Sequence, residues 1–299
     1  MKVYNANEII ESAGLVALIY GEPGIGKTTL ANSAPNSLLL DFDRGAHRAS
    51  FGKKVVQFDS WQDLVDSESE LNKLIEESES IIIDTAGTLL DYLTSYLVDT
   101  QPLLAKNSIK LWGEIKKSFT SFFTPLKRSG KNIIFIAHAK EKEEGDVRIK
   151  RPLIQGSSYD LLMQSCDLIG FYSIKNNKRI LTFDLSDTIV AKNCAGIEPI
   201  LIPDLSISQN TMKEIISKTK NALLQRIEEN EEAIDIVDKW VKFAETAEPT
   251  IIFEAVKEAQ LKKTVKTGVW AAIQQTMKKR GYEFNKDKSV FELIEGEEK

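Results

Sequence analysis

One octapeptide limits what this chain can fold into more than any other feature. Residues 21–28 read GEPGIGKT, which matches the pattern G-x-x-x-x-G-K-[ST] in full. An apolar segment, Leu15–Tyr20, precedes this octapeptide, and a helix-like apolar spacing begins at Lys27. A glycine-rich turn between a buried strand and a helix is the context that this phosphate-binding motif requires. The sequence therefore predicts a P-loop.

The residue types in the loop explain what it would bind. Glycines allow backbone N–H groups to curl around phosphates, and a helix N-terminus favours negative charge. Lys27 is placed to reach the β- and γ-phosphates, and the Thr28 hydroxyl is placed to coordinate Mg²⁺. We expect ATP and Mg²⁺ as the bound species. The predicted nucleotide-binding residues are Gly21, Glu22, Pro23, Gly24, Ile25, Gly26, Lys27, Thr28 and Thr29.

A second apolar strand supplies the other half of such a site. Residues 80–85 read SIIIDT, so that a carboxylate, Asp84, follows three consecutive isoleucines. In P-loop proteins an acidic residue at the end of a buried strand holds Mg²⁺. The predicted metal ligands are therefore Thr28 and Asp84.

Hydrolysis also needs a group that orients the attacking water, and two further strand ends offer candidates. Two aspartates, Asp41 and Asp43, lie at the end of the predicted strand Ser37–Phe42. Either could position water or could be a turn residue. The strand Ile133–Ala137 is followed by His138, a polar group able to contact the γ-phosphate.

Alternating strand and helix patterns over the first two-thirds of the chain predict an α/β fold with a mostly parallel sheet covered by helices. Later strands follow one another without helices, which predicts an antiparallel edge. The remaining predicted strands are Val55–Phe58, Ile81–Ile83, Leu168–Tyr172, Ile180–Phe183 and Thr188–Ala191, and the helices are Lys27–Ser33, Trp61–Ile75, Leu89–Asp99 and Leu111–Arg128.

After Pro203 the strand patterns fade. We predict a core over residues 1–204 and a small, mostly helical C-terminal domain over residues 205–299. The basic tail contains Trp270, Tyr282 and Phe284, and this mixture suits either single-strand binding or core packing. The predicted C-terminal helices are Thr211–Glu228, Ala233–Ala244, Ile251–Ala259 and Val269–Arg280, with Gly281 as a helix stop.

Composition narrows the functional classes. The chain has 299 residues and a formal net charge of −5, so a nucleic-acid surface would have to be a local basic patch. No apolar run approaches the ~20 residues that a membrane helix needs. The N-terminus lacks the pattern of a secretory signal. We expect a cytoplasmic protein that does not contact a membrane.

Together these features resemble the RecA-like recombinase fold, and more closely the phage-type RecA-core proteins of single-strand annealing and recombination. The P-loop, the Asp84-Thr85 strand end and the polar residue at 138 carry this resemblance over roughly residues 12–200. In that family a strand ending Asp-x-Glu follows the P-loop helix, and its Glu activates water. Asp43 stands in the Glu position here, with an arm one methylene shorter.

The resemblance implies roles for further residues. His138 occupies the place of a switch residue that senses the γ-phosphate and leads into a mobile DNA-binding loop. Near the end of the core the family carries Lys-Asn-Lys, whose lysines reach the γ-phosphate of a neighbouring subunit. Lys192 and Asn193 match, but Cys194 replaces the second lysine. The implied catalytic residues are Lys27, Asp43, Asp84, His138 and Lys192.

The segment Ala139–Gln155 is the first candidate DNA loop. It mixes basic residues with four acids, so a solvated hairpin is the alternative. A second candidate surrounds Lys106–Lys110, where an ordinary helix start is the alternative. The nucleic-acid contacts predicted in the first loop are Lys140, Arg148, Lys150 and Arg151.

The sequence therefore predicts a RecA-like ATPase, DNA-dependent in its hydrolysis, that binds single-stranded DNA and promotes annealing or recombination. The resemblance implies self-association in a ring or filament and a single-strand-binding protein as a further partner. The alternative is an ATP-dependent switch or assembly factor that acts on protein partners without binding DNA.

Overall fold

Near-continuous runs of Val, Ile and Leu form the central sheet, because strands buried on both faces need apolar residues at every position. In this computed structural model, which describes residues 8, 10, 12–48, 54–145 and 147–294, the chain divides into two units, 1–224 and 225–299. The strands of the first unit are β1 (Val16–Gly21), β2 (Ser37–Asp41), β3 (Lys54–Gln57), β4 (Ser80–Asp84), β5 (Asn132–Glu144), β6 (Val147–Pro152), β7 (Leu168–Lys175), β8 (Lys178–Thr182), β9 (Lys192–Asn193) and β10 (Ile200–Ile202).

The sheet has the order β10-β8-β7-β1-β5-β4-β2-β3. The six strands from β7 to β3 are parallel to their neighbours, whereas β8 and β10 form an antiparallel edge. β6 pairs with the far end of β5, and β9 pairs with the start of β7. This arrangement confirms the predicted α/β class, the mostly parallel sheet and its antiparallel edge.

Helices cover both faces of the sheet. Because successive strand residues point to opposite faces, Val16, Leu18 and Tyr20 of β1 join one core cluster, whereas Ala17 and Ile19 join the other. The helices of the first unit are α1 (Lys27–Asn32), α2 (Trp61–Asp66), α3 (Glu68–Glu76), α4 (Ala86–Thr100), α5 (Pro102–Ala105), α6 (Ser108–Arg128), α7 (Ser157–Ser165) and the first part of α8 (Thr211–Thr246).

Two predicted elements of this unit differ in the structure. The helix over Trp61–Ile75 is two helices, since α2 ends at Asp66 and Ser67 lies between it and α3. The strand over Thr188–Ala191 is not formed; Ile189 makes only isolated bridges with Lys150 and Ser186, and the short strand β9 begins at Lys192.

The second unit contains the rest of α8, α9 (Ile252–Glu258), α10 (Lys263–Lys279) and a hairpin of β11 (Tyr282–Asn285) and β12 (Val290–Leu293). The mostly helical character is confirmed, and Gly281 ends α10 with φ of +84°. The two helices predicted over 211–244 are one helix, and the hairpin was not predicted. The division between the units falls within α8, about twenty residues beyond the predicted boundary, because Met212, Ile215 and Ile216 pack in the first unit.

A buried tyrosine fastens the β5–β6 hairpin to the sheet. The Tyr20 hydroxyl lies 3.0 Å from the Lys150 carbonyl oxygen and 2.8 Å from that of Val190, and it donates to both. The backbone adds two bonds, from the Lys150 amide to the Thr188 oxygen and from the Val190 amide to the Lys150 oxygen. Burial raises the pKa of this phenol above its usual range, so it remains a donor.

Tyr20→Phe should therefore destabilise the chain by about 1 kcal/mol, because two part-buried carbonyl groups lose their shared donor. Tyr172→Phe is the matched control: Tyr172 is equally buried on the neighbouring strand, yet its hydroxyl has no hydrogen-bond partner among the described residues. Urea unfolding measures the free energy, and hydrogen exchange should quicken at the Lys150 and Val190 amides. Equal stability of the two variants would contradict the anchoring role of Tyr20.

Candidate nucleotide-binding site

The register of the parallel strands brings the predicted site residues to one edge of the sheet. Gly21 of β1 pairs with His138 of β5, and Asp41 of β2 pairs with Asp84 of β4. Beyond β2, the amides of Phe42 and Asp43 both donate to the Asp84 carbonyl oxygen, at 2.7 and 3.3 Å. The loop, the strand that ends at Asp84 and the candidate water-positioning turn therefore meet at the carboxyl ends of adjacent strands, where ligands bind in open α/β sheets.

The P-loop backbone needs glycine at three positions. Gly24 and Gly26 have φ values of +76° and +97°, which side-chain-bearing residues rarely adopt. At Gly21 the limit is space, since a Cβ atom would lie 2.3 Å from the carbonyl oxygen of Tyr172 on β7. These constraints hold the loop in an open turn between β1 and α1.

Lys27 lies inside this turn with 5% of its surface exposed. Its ammonium donates to the carbonyl oxygens of Gly21 and Glu22, at 3.0 and 2.8 Å. Burial lowers the pKa of Lys27, while the negative charges of Asp84, Glu22 and Asp43 oppose that shift. The loop thus positions a cation where the β- and γ-phosphates of a bound nucleotide would lie.

Thr28 and Asp84 meet beside this lysine. The Thr28 hydroxyl donates to Asp84 Oδ2 at 2.6 Å, across 56 positions of sequence. Burial raises the pKa of the Asp84 carboxyl to about 6, against the opposing effects of the Thr28 hydrogen bond and of Lys27; Asp41 and Asp43 raise it further. The adjoining Asp84–Thr85 peptide bond is cis. Hydroxyl and carboxylate oxygens are ligands that Mg²⁺ prefers, so this pair fits the predicted metal.

The two candidate aspartates at the end of β2 have different surroundings. Asp41 is 1% exposed, and its carboxylate accepts hydrogen bonds from the Gly45 and Ala46 amides and from Gln57. Asp43 is exposed, and its charge acts on both Lys27 and Asp84. Asp41 therefore holds the turn, and Asp43 remains available to a water molecule.

His138 lies at the point where β5 leaves the sheet. The strand continues without interruption to Glu144 and returns as β6, so the predicted charged loop is a β-hairpin paired from Ala139–Pro152 to Glu144–Val147. The switch position and the hairpin therefore belong to one strand, and His138 pairs in register with the first P-loop residue.

The four predicted nucleic-acid contacts lie on this hairpin, but they differ in exposure and in the groups of the chain that they contact. Lys140 and Arg148 are exposed, although Arg148 pairs with Glu143 at 3.3 Å. The Arg151 guanidinium lies 4.6 Å from the ring centre of Tyr159. Lys150 approaches Glu141 at 3.8 Å and the P-loop residue Glu22 at 3.5 Å.

Lys192 does not join the P-loop of its own chain. It pairs with Ile169 near the start of β7, whereas the P-loop lies at the opposite end of that strand, where Gly21 pairs with Tyr172. Its ammonium donates to the carbonyl oxygens of Met163 and Gln164, at 3.2 and 3.0 Å, at the end of α7. Within one chain this lysine stabilises a helix C-terminus.

Two contacts to the loop were not anticipated from the sequence. The Arg179 Nε group donates to the Ile25 carbonyl oxygen at 3.3 Å, and the Tyr172 carbonyl oxygen occupies the space that a side chain at Gly21 would need. Both residues come from strands far along the chain. No local pattern in the sequence could have indicated them, because strand pairing alone brings them to the loop.

Comparisons with known proteins agree with this site. A family model described as an AAA domain matches residues 13–195. This is more than half of the chain, so the chain belongs to that family and is a P-loop ATPase. One matching solved structure is that of a KaiC-like protein from the hyperthermophilic archaeon Pyrococcus horikoshii OT3, with 13% identity, a TM-score of 0.36, and coverage of 64% of this chain and 90% of that one. No curated protein sequence matches significantly.

Within the part of the chain that the structure describes, no helix is both long enough and apolar enough to cross a membrane.

Asp84→Asn should stabilise the nucleotide-free protein near pH 8 while weakening Mg²⁺-dependent nucleotide binding. The carboxyl has a folded pKa of about 6 against an ordinary 3.8, so protonation favours the folded state. That contribution is complete below pH ~4 and is lost as the pH rises through about 6. Asparagine keeps an acceptor for Thr28 without the charge. The free energy of unfolding at pH 8 should therefore be higher for Asp84→Asn than for the parent, by up to about 3 kcal/mol.

Urea unfolding without nucleotide, repeated between pH 5 and 8, tests this effect. Asp59→Asn is the control, because the Arg44 hydrogen bond lowers the pKa of Asp59 and the sign of its pH dependence is opposite. A variant Asp84→Asn less stable than the parent at pH 8 would overturn the account of a strained buried carboxylate.

Proposed function

We propose that this P-loop ATPase is of the RecA-like type and couples ATP hydrolysis to annealing or recombination of single-stranded DNA. One observation carries the nucleotide chemistry: Thr28 and Asp84 share a 2.6 Å hydrogen bond beside the buried ammonium of Lys27. Mg²⁺ would be held by the oxygens of that pair, and it would supply charge neutralisation at the β- and γ-phosphates. Residues 21–29 would surround the phosphates.

Asp43 is the proposed water-positioning residue. Its backbone is fixed by the bond from its amide to the Asp84 oxygen, so its carboxylate stands next to the metal-binding residue. Asp41 already accepts hydrogen bonds from the Gly45 and Ala46 amides and from Gln57 of β3, which supports Asp43 for this role. Lys27 would neutralise charge that develops on the transferred phosphoryl group.

Asp43→Asn should leave ATP binding nearly unchanged and slow hydrolysis by about 10²–10⁴-fold, since an amide cannot accept a proton from water. Asp41→Asn is the matched control: it should lower stability, because the turn loses charge-assisted bonds, with a smaller effect on the rate per folded molecule. Single-turnover ATP hydrolysis and binding of a fluorescent ATP analogue measure the two quantities. If Asp41→Asn alone slowed turnover, the assignment would pass to Asp41.

The hairpin is the proposed route from nucleotide to DNA. His138, at the exit of β5, would contact the γ-phosphate, and the same strand leads to exposed Lys140. On the return strand, Lys150 contacts Glu22 of the P-loop. A change at the phosphate site would thus reach both strands of the hairpin. Of the predicted contacts, Lys140 and Arg148 are best exposed to meet DNA phosphates.

Charge on the hairpin also favours the second candidate, a switch that acts on protein partners without binding DNA. Arg148 pairs with Glu143, and Lys150 lies close to both Glu141 and Glu22. A surface whose bases are matched by acids attracts a polyanion weakly, whereas it can form specific pairs with another protein. DNA stimulation of hydrolysis distinguishes the two functions.

Self-association in a ring or filament and a single-strand-binding protein partner remain proposals that rest on the resemblance. In such an assembly Lys192 would act on the nucleotide of a neighbouring copy. Its ammonium would first have to leave the α7 carbonyl oxygens of Met163 and Gln164.

Lys140→Ala with Arg148→Ala should reduce single-stranded DNA affinity and flatten its salt dependence by about two units in the slope of log K against log salt. Stimulation of ATP turnover by single-stranded DNA should fall with it. The matched control replaces Lys175 and Lys178, exposed lysines at the turn between β7 and β8. Hydrolysis that no DNA stimulates, at any salt, would favour the protein-partner function instead.

A further inference from the structure

The unit 225–299 ends in a compact succession of elements that the nucleotide site does not use. Two helices, α9 and α10, are separated by residues 259–262, and the β11–β12 hairpin follows α10 directly. The ammonium of Lys266 on α10 donates to the carbonyl oxygen of Lys257 on α9 at 3.0 Å, which fixes the two helices to each other. Two helices joined by a short turn and packed on a common core have the order of elements of a helix–turn–helix.

One face of α10 builds the core of this unit. Val269, Ile273 and Met277 are fully buried at helical spacing. Next to them the Trp270 ring meets Phe284 of the hairpin at 4.8 Å between ring centres, and Phe253 of α9 at 5.7 Å. The aromatic side chains thus join α9, α10 and the hairpin into one body.

This packing decides against single-strand binding by base stacking at this unit. Such binding requires aromatic faces open to the bases, whereas Trp270 and Phe284 pack against each other and against Phe291. A nucleic-acid site on this unit would therefore have to use its exposed polar side chains.

The opposite face of α10 is exposed and polar. Its residues follow each other at intervals of three and four, which places them in one row along the helix. Their side chains suit base edges in a major groove, where Gln pairs with adenine, Thr donates or accepts, and Ala contacts the thymine methyl group. The row consists of Thr264, Thr267, Ala271, Gln274 and Lys278.

The positive charge around α10 also favours a nucleic acid as the partner. Residues 257–288 contain nine Lys and Arg against three Asp and Glu, in a chain with a formal net charge of −5. Two of these lysines, Lys257 and Lys288, pair with Glu254 and Glu292 just outside that range, so the remaining bases make up the basic surface. Lys263 and Lys278 are exposed near the two ends of α10, and Lys286 is exposed at the hairpin turn. A basic surface on an otherwise acidic chain is the electrostatic footprint of a nucleic-acid site.

We propose that the unit 225–299 binds duplex DNA, with α10 in the major groove and the hairpin turn along the neighbouring phosphate backbone. Lys263 and Lys278 contact phosphates, and the Thr–Ala–Gln row faces the base pairs. This site is distinct from the P-loop and from the β5–β6 hairpin, and it does not depend on the function proposed for them.

The test measures binding of the full chain to a fluorescein-labelled DNA duplex of about 20 base pairs, enough for a helix–turn–helix footprint. Fluorescence anisotropy is followed from low to physiological salt. Lys263→Ala with Lys278→Ala should make the slope of log K against log salt shallower by about two units. Lys239→Ala with Lys242→Ala is the matched control, since both lysines are exposed in the same unit on α8.

The parent chain should also prefer duplex DNA to duplex RNA of the same sequence, because a helix does not fit the deep, narrow major groove of RNA. Duplex binding should be the same with and without ATP and Mg²⁺, which separates this result from any failure of the nucleotide-site proposals. Equal slopes for the two lysine pairs would overturn the proposal. So would equal affinity for the two duplexes, or binding of single strands alone.

Discussion

The site depends on a buried pair of opposite charges at the end of parallel strands. Lys27 and Asp84 both leave water almost completely, at 5% and 6% exposure. Burial lowers the pKa of Lys27 and raises that of Asp84, which favours the neutral form of each. The charge of the other group opposes each shift. The parallel register ends β1 and β4 at one edge of the sheet, and this brings the two charges close enough to act on each other.

The β5 strand runs from the buried sheet into the exposed hairpin, whereas the sequence predicted a strand and a separate loop there. Its first half is fully buried between β1 and β4, and its second half leaves the sheet to pair with β6 alone. Tyr20 reinforces this exit from the buried side, because its hydroxyl holds the Lys150 carbonyl oxygen. The same strand therefore runs without a break from the sheet edge beside the P-loop to the exposed end of the hairpin. This continuity is the physical basis for the proposed coupling.

Much of the core could be predicted because its determinants are local. A glycine-rich turn, a run of isoleucines before Asp84 and continuous apolar strands each specify their own structure. The different surroundings of Asp41 and Asp43 could not be predicted, since they depend on hydrogen bonds from Gly45, Ala46 and Gln57 to Asp41. The Lys150–Glu22 contact was equally inaccessible, because it joins groups 128 positions apart through strand pairing.

Other differences arise where local preference and tertiary packing disagree. The acid-rich stretch 228–232 reads as a break between helices, yet α8 continues through it. Phe284 and Phe291 lie in strands of only four residues, too short to show an alternating pattern, and packing against Trp270 decides their structure. In the first unit, residues 188–191 have strand composition, but their pairing stops at isolated bridges from Ile189 to Lys150 and Ser186.

The distribution of basic charge connects the two proposed DNA surfaces. On the β5–β6 hairpin, acids pair with Arg148 and Lys150, so the positive charge of this hairpin is partly neutralised and its proposed affinity for DNA is modest. Basic residues outnumber acidic residues within 257–288, although the whole chain is acidic. A duplex-binding unit in the same chain would raise the local concentration of DNA around the ATPase unit, and a weak contact then suffices for the nucleotide-dependent step. Weak contact at the hairpin is also what a cyclic ATPase needs, because a surface that must release DNA after each hydrolysis cannot hold it tightly.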